Sequence, residues 1–173
     1  MFYALGLCVL LFDQLSKWIV LHHLENGPIL GDLLRLTLTE NTGAAFGLFP
    51  GARVSFIAIS LLAAIGLVYA NHAMRSGDRL RRLPLALILG GNLGNLVDRV
   101  RLGRVTDFID MGLGASRWPV YNLADVAVVL GAALLGLGLL VEMLVERQAG
   151  ARGPDPAAPP APPVPEENSA DAR

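Results

Sequence analysis

Four stretches of this chain are apolar over lengths that suit a lipid bilayer, and acids sit inside or at the edges of three of them. A membrane-crossing helix needs about 20 mostly apolar residues, and the stretches run from Met1 to Leu21, Val54 to Ala73, Leu83 to Val97 and Leu123 to Val145. With 53% apolar and 17% charged residues, a soluble domain of this length would be short of polar surface. A net charge of -1 points to no polyionic partner such as nucleic acid. The single cysteine, Cys8, excludes a disulfide framework within the chain and a multi-cysteine metal site. The first stretch starts without a basic region, carries Asp13 and Lys17 and has no small-residue cleavage site after it, so it reads as a retained helix. The third is short and bears Asn92 and Asn95, which suits a helix packed among three others. The expected fold is an all-α integral membrane protein with four transmembrane helices and one small sheet.

The sheet is read between the first two spans. Leu34-Arg35-Leu36-Thr37-Leu38-Thr39 alternates apolar and polar residues, the pattern of a half-buried strand. Asn41 to Gly47 follows, and its glycines suggest a turn and a return strand at the membrane surface. The segment from Arg99 to Tyr121 is not a span; it holds Gly103, Gly112, Gly114 and Pro119 around a short apolar piece from Val105 to Ile109. Residues 1–148 therefore form the membrane domain. Residues 149–173, rich in alanine and proline, are expected to be a disordered tail. Charge counting leaves the topology nearly tied: Arg75, Arg79, Arg81 and Arg82 follow the second span, and Arg99, Arg101, Arg104 and Arg117 follow the third. It leans towards both termini inside.

Ionisable residues near a helix centre in a bilayer cost about 2.5–3.5 kcal/mol each even on the lenient scale, which makes them functional candidates. Asp13 and Lys17 are four apart with the acid first, the better orientation for an ion pair, and a self-neutralising structural pair is favoured there. Asn92, Asn95, Asp98 and Arg99 form a polar stripe down the third helix, while Gly90 and Gly94 let a neighbouring backbone approach. Asn122 suits an N-cap and Asp125 the third helical position, where an acid favours the dipole. Asp107 suits a loop acid paired with Arg99, Arg101 or Arg104. On local grounds these bland roles are the better odds for each acid alone. Both, however, fall at span edges on one side of the membrane, where two carboxylates brought together would share a proton. The ionised one could then activate water while the other protonates a carbonyl. No serine elbow, zinc spacing or phosphate-binding glycine loop is present. Two rivals remain: a magnesium-dependent phosphotransferase using Asp98, Asp107, Asp110 and Asp125, and a proton or ion relay through the same acids.

Five ordered blocks resemble the lipoprotein signal peptidase family, also called signal peptidase II. They are Asp13-Gln14-Leu15-Ser16-Lys17, Asn41-Thr42-Gly43-Ala44-Ala45-Phe46, Gly90 to Arg99, Gly103 to Ile109, and Tyr121-Asn122-Leu123-Ala124-Asp125. The resemblance implies a catalytic dyad of Asp107 and Asp125, with Asn41, Asn95, Asp98, Arg99 and Asn122 positioning the dyad or the substrate and Asp13 supporting structure. It implies cleavage of diacylglyceryl-modified prolipoproteins just before the lipidated cysteine, without a metal or other cofactor. It places the protein in the bacterial cytoplasmic membrane with both termini cytoplasmic and an extracytoplasmic sheet. The expected partners are those substrates and membrane lipids, with Arg101, Arg104 and Arg117 offered to lipid phosphates, and the chain is expected to act as a monomer. The long tail is not a feature of that family.

Overall fold

The structure, a computed structural model, describes residues 1–23, 27–30, 32–43, 52–74 and 79–151. The turn and return strand read after Asn41 lie outside these described residues from Ala44 on, as do the charge of Arg75 and the proline-rich tail from residue 152. The elements run α1 (Phe2–His23), β1 (Gly27–Leu30), β2 (Leu34–Asn41), α2 (Arg53–Ala73), α3 (Arg79–Leu102), β3 (Val105–Leu113), β4 (Ser116–Arg117) and α4 (Leu123–Ala151). Met1–Gly138 form one compact unit; from Leu139 to Ala151 the described residues are the last turns of α4, which continues past Gln148.

Among the described residues, three helices are long and apolar enough to cross a membrane: Phe2–His23, Arg53–Ala73 and, within α4, Leu123–Gln148. Their outer faces carry exposed Leu11, Phe12, Leu62, Ile65, Val129 and Leu137, a surface that water would penalise and lipid would not. The third apolar stretch differs from its expected form. It lies within a 24-residue helix that begins at Arg79 and ends at Leu102, so basic residues are helical at both of its ends and its apolar run is short. At 1.5 Å per residue α3 is about 36 Å long.

What α3 lacks in apolar surface it makes up in neighbours. Leu85, Ala86 and Leu89 form a buried cluster with Phe2 of α1, against which Leu67 and Val68 of α2 pack. Glycine sets how close the helices come. A Cβ on Gly90 would stand 2.6 Å from the Gly6 carbonyl of α1, and one on Gly91 would stand 2.3 Å from the Ala124 carbonyl of α4. The polar Asn92 donates to the Ser60 carbonyl of α2 at 2.8 Å. In the stripe expected on this helix Asp98 is buried and Asn92, Asn95 and Arg99 are half-buried, with their polar groups bonded within the protein, which lowers the cost of the amides.

The strand read at Leu34–Thr39 extends to Asn41. Its partners are β1 and β3, so the sheet is three antiparallel strands with the two-residue β4 added at the far end of β3, in the order β1-β2-β3-β4. The apolar piece around Val105 to Ile109 is the start of β3, a strand not foreseen there. Leu34 faces Met111 and Leu36 faces Ile109, but a register shift between Leu36 and Thr39 then sets Thr39 opposite Asp107 and Asn41 opposite Val105. This bulge exchanges the two faces of β2 part-way along its length.

Gly91→Ala is expected to lower thermal stability by about 1–3 kcal/mol, because the added methyl meets backbone on α4. Gly136→Ala, where nothing lies within 4 Å, should stay within about 0.5 kcal/mol of wild type. Melting curves of the purified proteins in one detergent check both.

Candidate active site

The site begins with a buried ammonium. Lys17 lies 2.8 Å from Asp13, 2.9 Å from Asp98 and 3.0 Å from the Asn95 side-chain oxygen, and all three charged groups are almost fully buried. The helical i, i+4 pair expected within α1 is present, and it is extended into α3. Each acid also reaches one further element. Asp13 Oδ1 accepts the Ala124 N–H in the first turn of α4 at 2.9 Å, and Asp98 Oδ2 accepts the Thr106 N–H of β3 at 3.2 Å. Gln14 donates to Asp98 Oδ1 at 2.9 Å and to the Gly94 carbonyl at 3.2 Å. The starts of β3 and α4 are therefore both referenced to the same cluster.

One residue beyond each of those contacts stand Asp107 and Asp125. Asn122 joins them. Its Nδ2 donates to Asp107 Oδ1 at 2.6 Å and its Oδ1 accepts the Asp125 N–H at 3.0 Å, while its own N–H donates to Asp125 Oδ2 at 3.2 Å. The last two bonds form the reciprocal cap expected of Asn122 and Asp125. Asn95 Nδ2 donates to Asp125 Oδ1 at 2.8 Å, and Asn95 Oδ1 accepts from Asn122 Nδ2 at 3.1 Å as well as from Lys17. Asn41, carried by the bulged end of β2, donates to Asp107 Oδ2 at 3.1 Å, and its own oxygen accepts the Gly43 N–H at 3.0 Å. Arg99 stands within electrostatic reach of Asp125, Asp107 and Asp98; it donates to the Gly43 carbonyl at 3.3 Å and lies 5.4 Å from the centre of the Phe56 ring.

A cavity of about 250 Å³ opens beside Asp107, with Thr39, Asn41, Gly43, Pro119 and Val120 among its other walls. Burial pushes the Asp107 carboxyl up to about 6, and the charge of Asp125 pushes the same way; the donors from Asn41 and Asn122 and the charge of Lys17 pull it down. Asp110 has the opposite fate. It lies on the other face of β3, where Arg117 donates to it at 2.5 Å and Thr37 at 3.0 Å, and the Arg117 hydrogen bond holds its carboxyl below the usual range. The four acids that a magnesium site would need do not converge: Asp98 is taken up by Lys17, Gln14 and Thr106, and Asp110 by Arg117. Among the described residues no group of three histidines, cysteines or acids is placed to hold a metal ion.

All nine residues expected to matter meet in this one network, apart from the guanidinium of Arg99, which reaches the acids through its field. Two contributors were not foreseen: Gln14 and Thr106. Gln14 had a signal, an amide in a lipid-crossing stretch next to an acid. Thr106 acts through its main chain and had none. Of the arginines offered to lipid phosphates, Arg104 pairs with Glu40 and Arg117 with Asp110, so their charge is used within the protein.

The sequence model of the family described as signal peptidase (SPase) II matches residues 5–141. The chain belongs to the signal peptidase II family. It is 41% identical to the lipoprotein signal peptidase of Moorella thermoacetica over 158 residues, covering 90% of this chain and 99% of that protein. It is 44% identical to the lipoprotein signal peptidase of Halothermothrix orenii over 142 residues, covering 80% and 94%. A solved structure described as a bacterial membrane enzyme, by the in meso method at 2.3 Å resolution, superposes with a TM-score of 0.76 at 30% identity, over 81% of this chain and 87% of that one. A signal peptidase II is a protease, and the lipid-facing helices fit a bacterial inner-membrane protein.

The raised Asp107 carboxyl has a consequence for stability. Its folded value of about 6 lies above the ordinary 3.8, so between about pH 4 and 6 the folded signal peptidase holds a proton that the unfolded chain has released. Stability then falls as pH rises through that window, by on the order of 2–3 kcal/mol. Asp107→Asn cannot titrate and lacks this slope. Melting midpoints measured from acid to neutral pH are expected to fall for wild type relative to the variant.

Proposed function

We propose that this signal peptidase is an aspartic endopeptidase that removes the signal peptide from diacylglyceryl-modified prolipoproteins, cutting just before the lipidated cysteine. The observation that carries the mechanism is the bridging of Asp107 and Asp125 through Asn122 in a poorly solvated place. Burial and the charge of Asp125 both favour the protonated form of Asp107. Asp107, with its raised carboxyl, keeps the proton and donates it to the scissile carbonyl. Asp125 is the ionised partner and takes a proton from the attacking water. Asn41, Asn95 and Asn122 aim the two acids. Asp98 and Lys17 hold the elements that carry them, and Asp13 is structural. Arg99 supports the site with positive charge for the oxyanion that forms at the carbonyl.

A lipid-anchored substrate requires a site at the rim of the bilayer that water can reach. The end of α3, the starts of α2 and α4 and the sheet all gather there, and α3, with its three neighbours, serves as the fourth span. The opposite end of the bundle is marked by the Tyr3–His72 hydrogen bond at 2.9 Å between the start of α1 and the end of α2. With that end and its arginines cytoplasmic, both termini are inside and the sheet faces outward. The protein works as a monomer without a cofactor, and residues after 148 are a tail outside the peptidase domain.

Asp107→Asn and Asp125→Asn are each expected to reduce cleavage of a diacylglyceryl-modified prolipoprotein by at least about 1,000-fold, with the protein still folded. Near-normal turnover by either would refute the dyad, and equal cutting of the unmodified prolipoprotein would refute the lipid requirement. For wild type, kcat/KM should fall on the alkaline side through about pH 6, as Asp107 loses its proton. Asn41→Ala removes a donor that favours the ionised form, so that limb should move to higher pH.

A further inference from the structure

The end of α3 is fastened by a residue with no part in the dyad network. Helix α3 closes on Gly103, which has a φ of +76 and donates its N–H to the Arg99 carbonyl at 3.2 Å, the left-handed cap that lets a helix stop and turn. Two residues later β3 begins, and two after that stands Asp107. The direction of this turn therefore sets where the acid arrives. Arg53, the first residue of α2, sits over it. Its Nε donates to the Arg99 carbonyl and its Nη2 to the Val100 carbonyl, both at 2.8 Å, and its Nη1 lies 3.2 Å from where a Cβ on Gly103 would be. The Arg99 carbonyl thus accepts from Gly103 and from Arg53, and a cation rests on the negative end of the helix. A planar fork with fixed donors suits two adjacent carbonyls better than a single ammonium does.

Arg99 is also gripped from the other side. Its side chain donates to the Gly43 carbonyl and stacks over Phe56, one turn along α2 from Arg53. The connection between β2 and α2 is thereby tied at both of its described ends to one residue: Gly43 to the side chain of Arg99, and Arg53 to its main chain.

We infer that Arg53 is a positioning residue for peptide cleavage: by clamping the last carbonyls of α3 at the Gly103 turn, it sets the alignment of Asp107 and of the Arg99 guanidinium against Asp125. This inference rests on the proposed dyad for its effect on turnover, but the clamp itself is a property of the fold and is measurable without catalysis. The test uses full-length Arg53→Ala, Arg53→Gln and Arg53→Lys with a diacylglyceryl-modified prolipoprotein, and follows amide hydrogen exchange over the Gly103–Asp107 segment in the same samples. Arg53→Ala is expected to lower kcat about 10- to 100-fold, with KM within about twofold and faster exchange across the turn. Arg53→Lys should recover part of kcat, and Arg53→Gln should lie between Ala and wild type, so the series is readable even if the alanine variant cannot be purified. An unchanged kcat, or a loss carried by KM alone, overturns the positioning role. Exchange identical to wild type in all three variants overturns the clamp. A wild-type protein that leaves the prolipoprotein uncut refutes the proposed function instead, and the exchange measurement then still decides whether Arg53 holds the turn.

Discussion

The rest of the structure hangs on one ammonium held between two carboxylates away from water. Lys17 shares its charge between Asp13 and Asp98. An ion cluster of this kind adds little to stability compared with apolar packing, but removing one member leaves uncompensated charge, at a cost of about 3–5 kcal/mol. What the cluster contributes is reference. Asp13 holds the first turn of α4 and Asp98 holds the first residues of β3, so the two elements that carry the acids are measured from a common point. Because Gln14 and the backbone donors occupy the remaining lone pairs, neither carboxylate is left with unmet demand in the protein interior.

The contrast between Asp107 and Asp110 shows why asparagines surround the proposed dyad. The two acids lie three residues apart on opposite faces of one strand. Asp110 is met by a guanidinium and is locked in its ionised form; Asp107 is met by the amides of Asn41 and Asn122 and stays near the pH at which it can gain or lose a proton. An amide orients a carboxylate without supplying a full opposite charge, so it fixes position and leaves protonation open. The cation that the site does hold, Arg99, is kept slightly apart, with its donors spent on the carbonyls of Asn95 and Gly43.

Much of this was legible from residue order because membrane proteins place polar groups sparingly. Asp13 with Lys17, the stripe from Asn92 to Arg99 and the Asn122–Asp125 cap could each be read from helical spacing alone, and each is found as a contact. Less legible was whatever depended on main-chain partners. Val105 to Leu113 gave no strand signal, since Thr106, Asp107 and Asp110 are buried polar residues and their burial depends on partners distant in sequence. The extent of α3 was missed at both ends because its arginines look like loop residues in the sequence; in the fold Arg82 donates to the Met74 carbonyl, and Arg53 caps the last carbonyls of the helix. The bringing together of Asp107 and Asp125 could be argued only from their shared place at span edges on one side of the membrane and from family resemblance, since neither residue's local setting favours it.

The bulge in β2 carries a lesson about length. In regular register from Leu36, Leu38 would face Asp107 and Glu40 would take the place opposite Val105; the extra residue puts Thr39 and Asn41 there instead. Chain shortened by one position between Leu36 and Thr39 could still form a continuous ladder and a folded sheet, yet only with the strand's spacing to Asn41 altered or its bulge erased. For this stretch the count of residues is thus under tighter constraint than their kind: substitutions at the exposed positions are absorbed, whereas an insertion or deletion rotates an amide away from an acid.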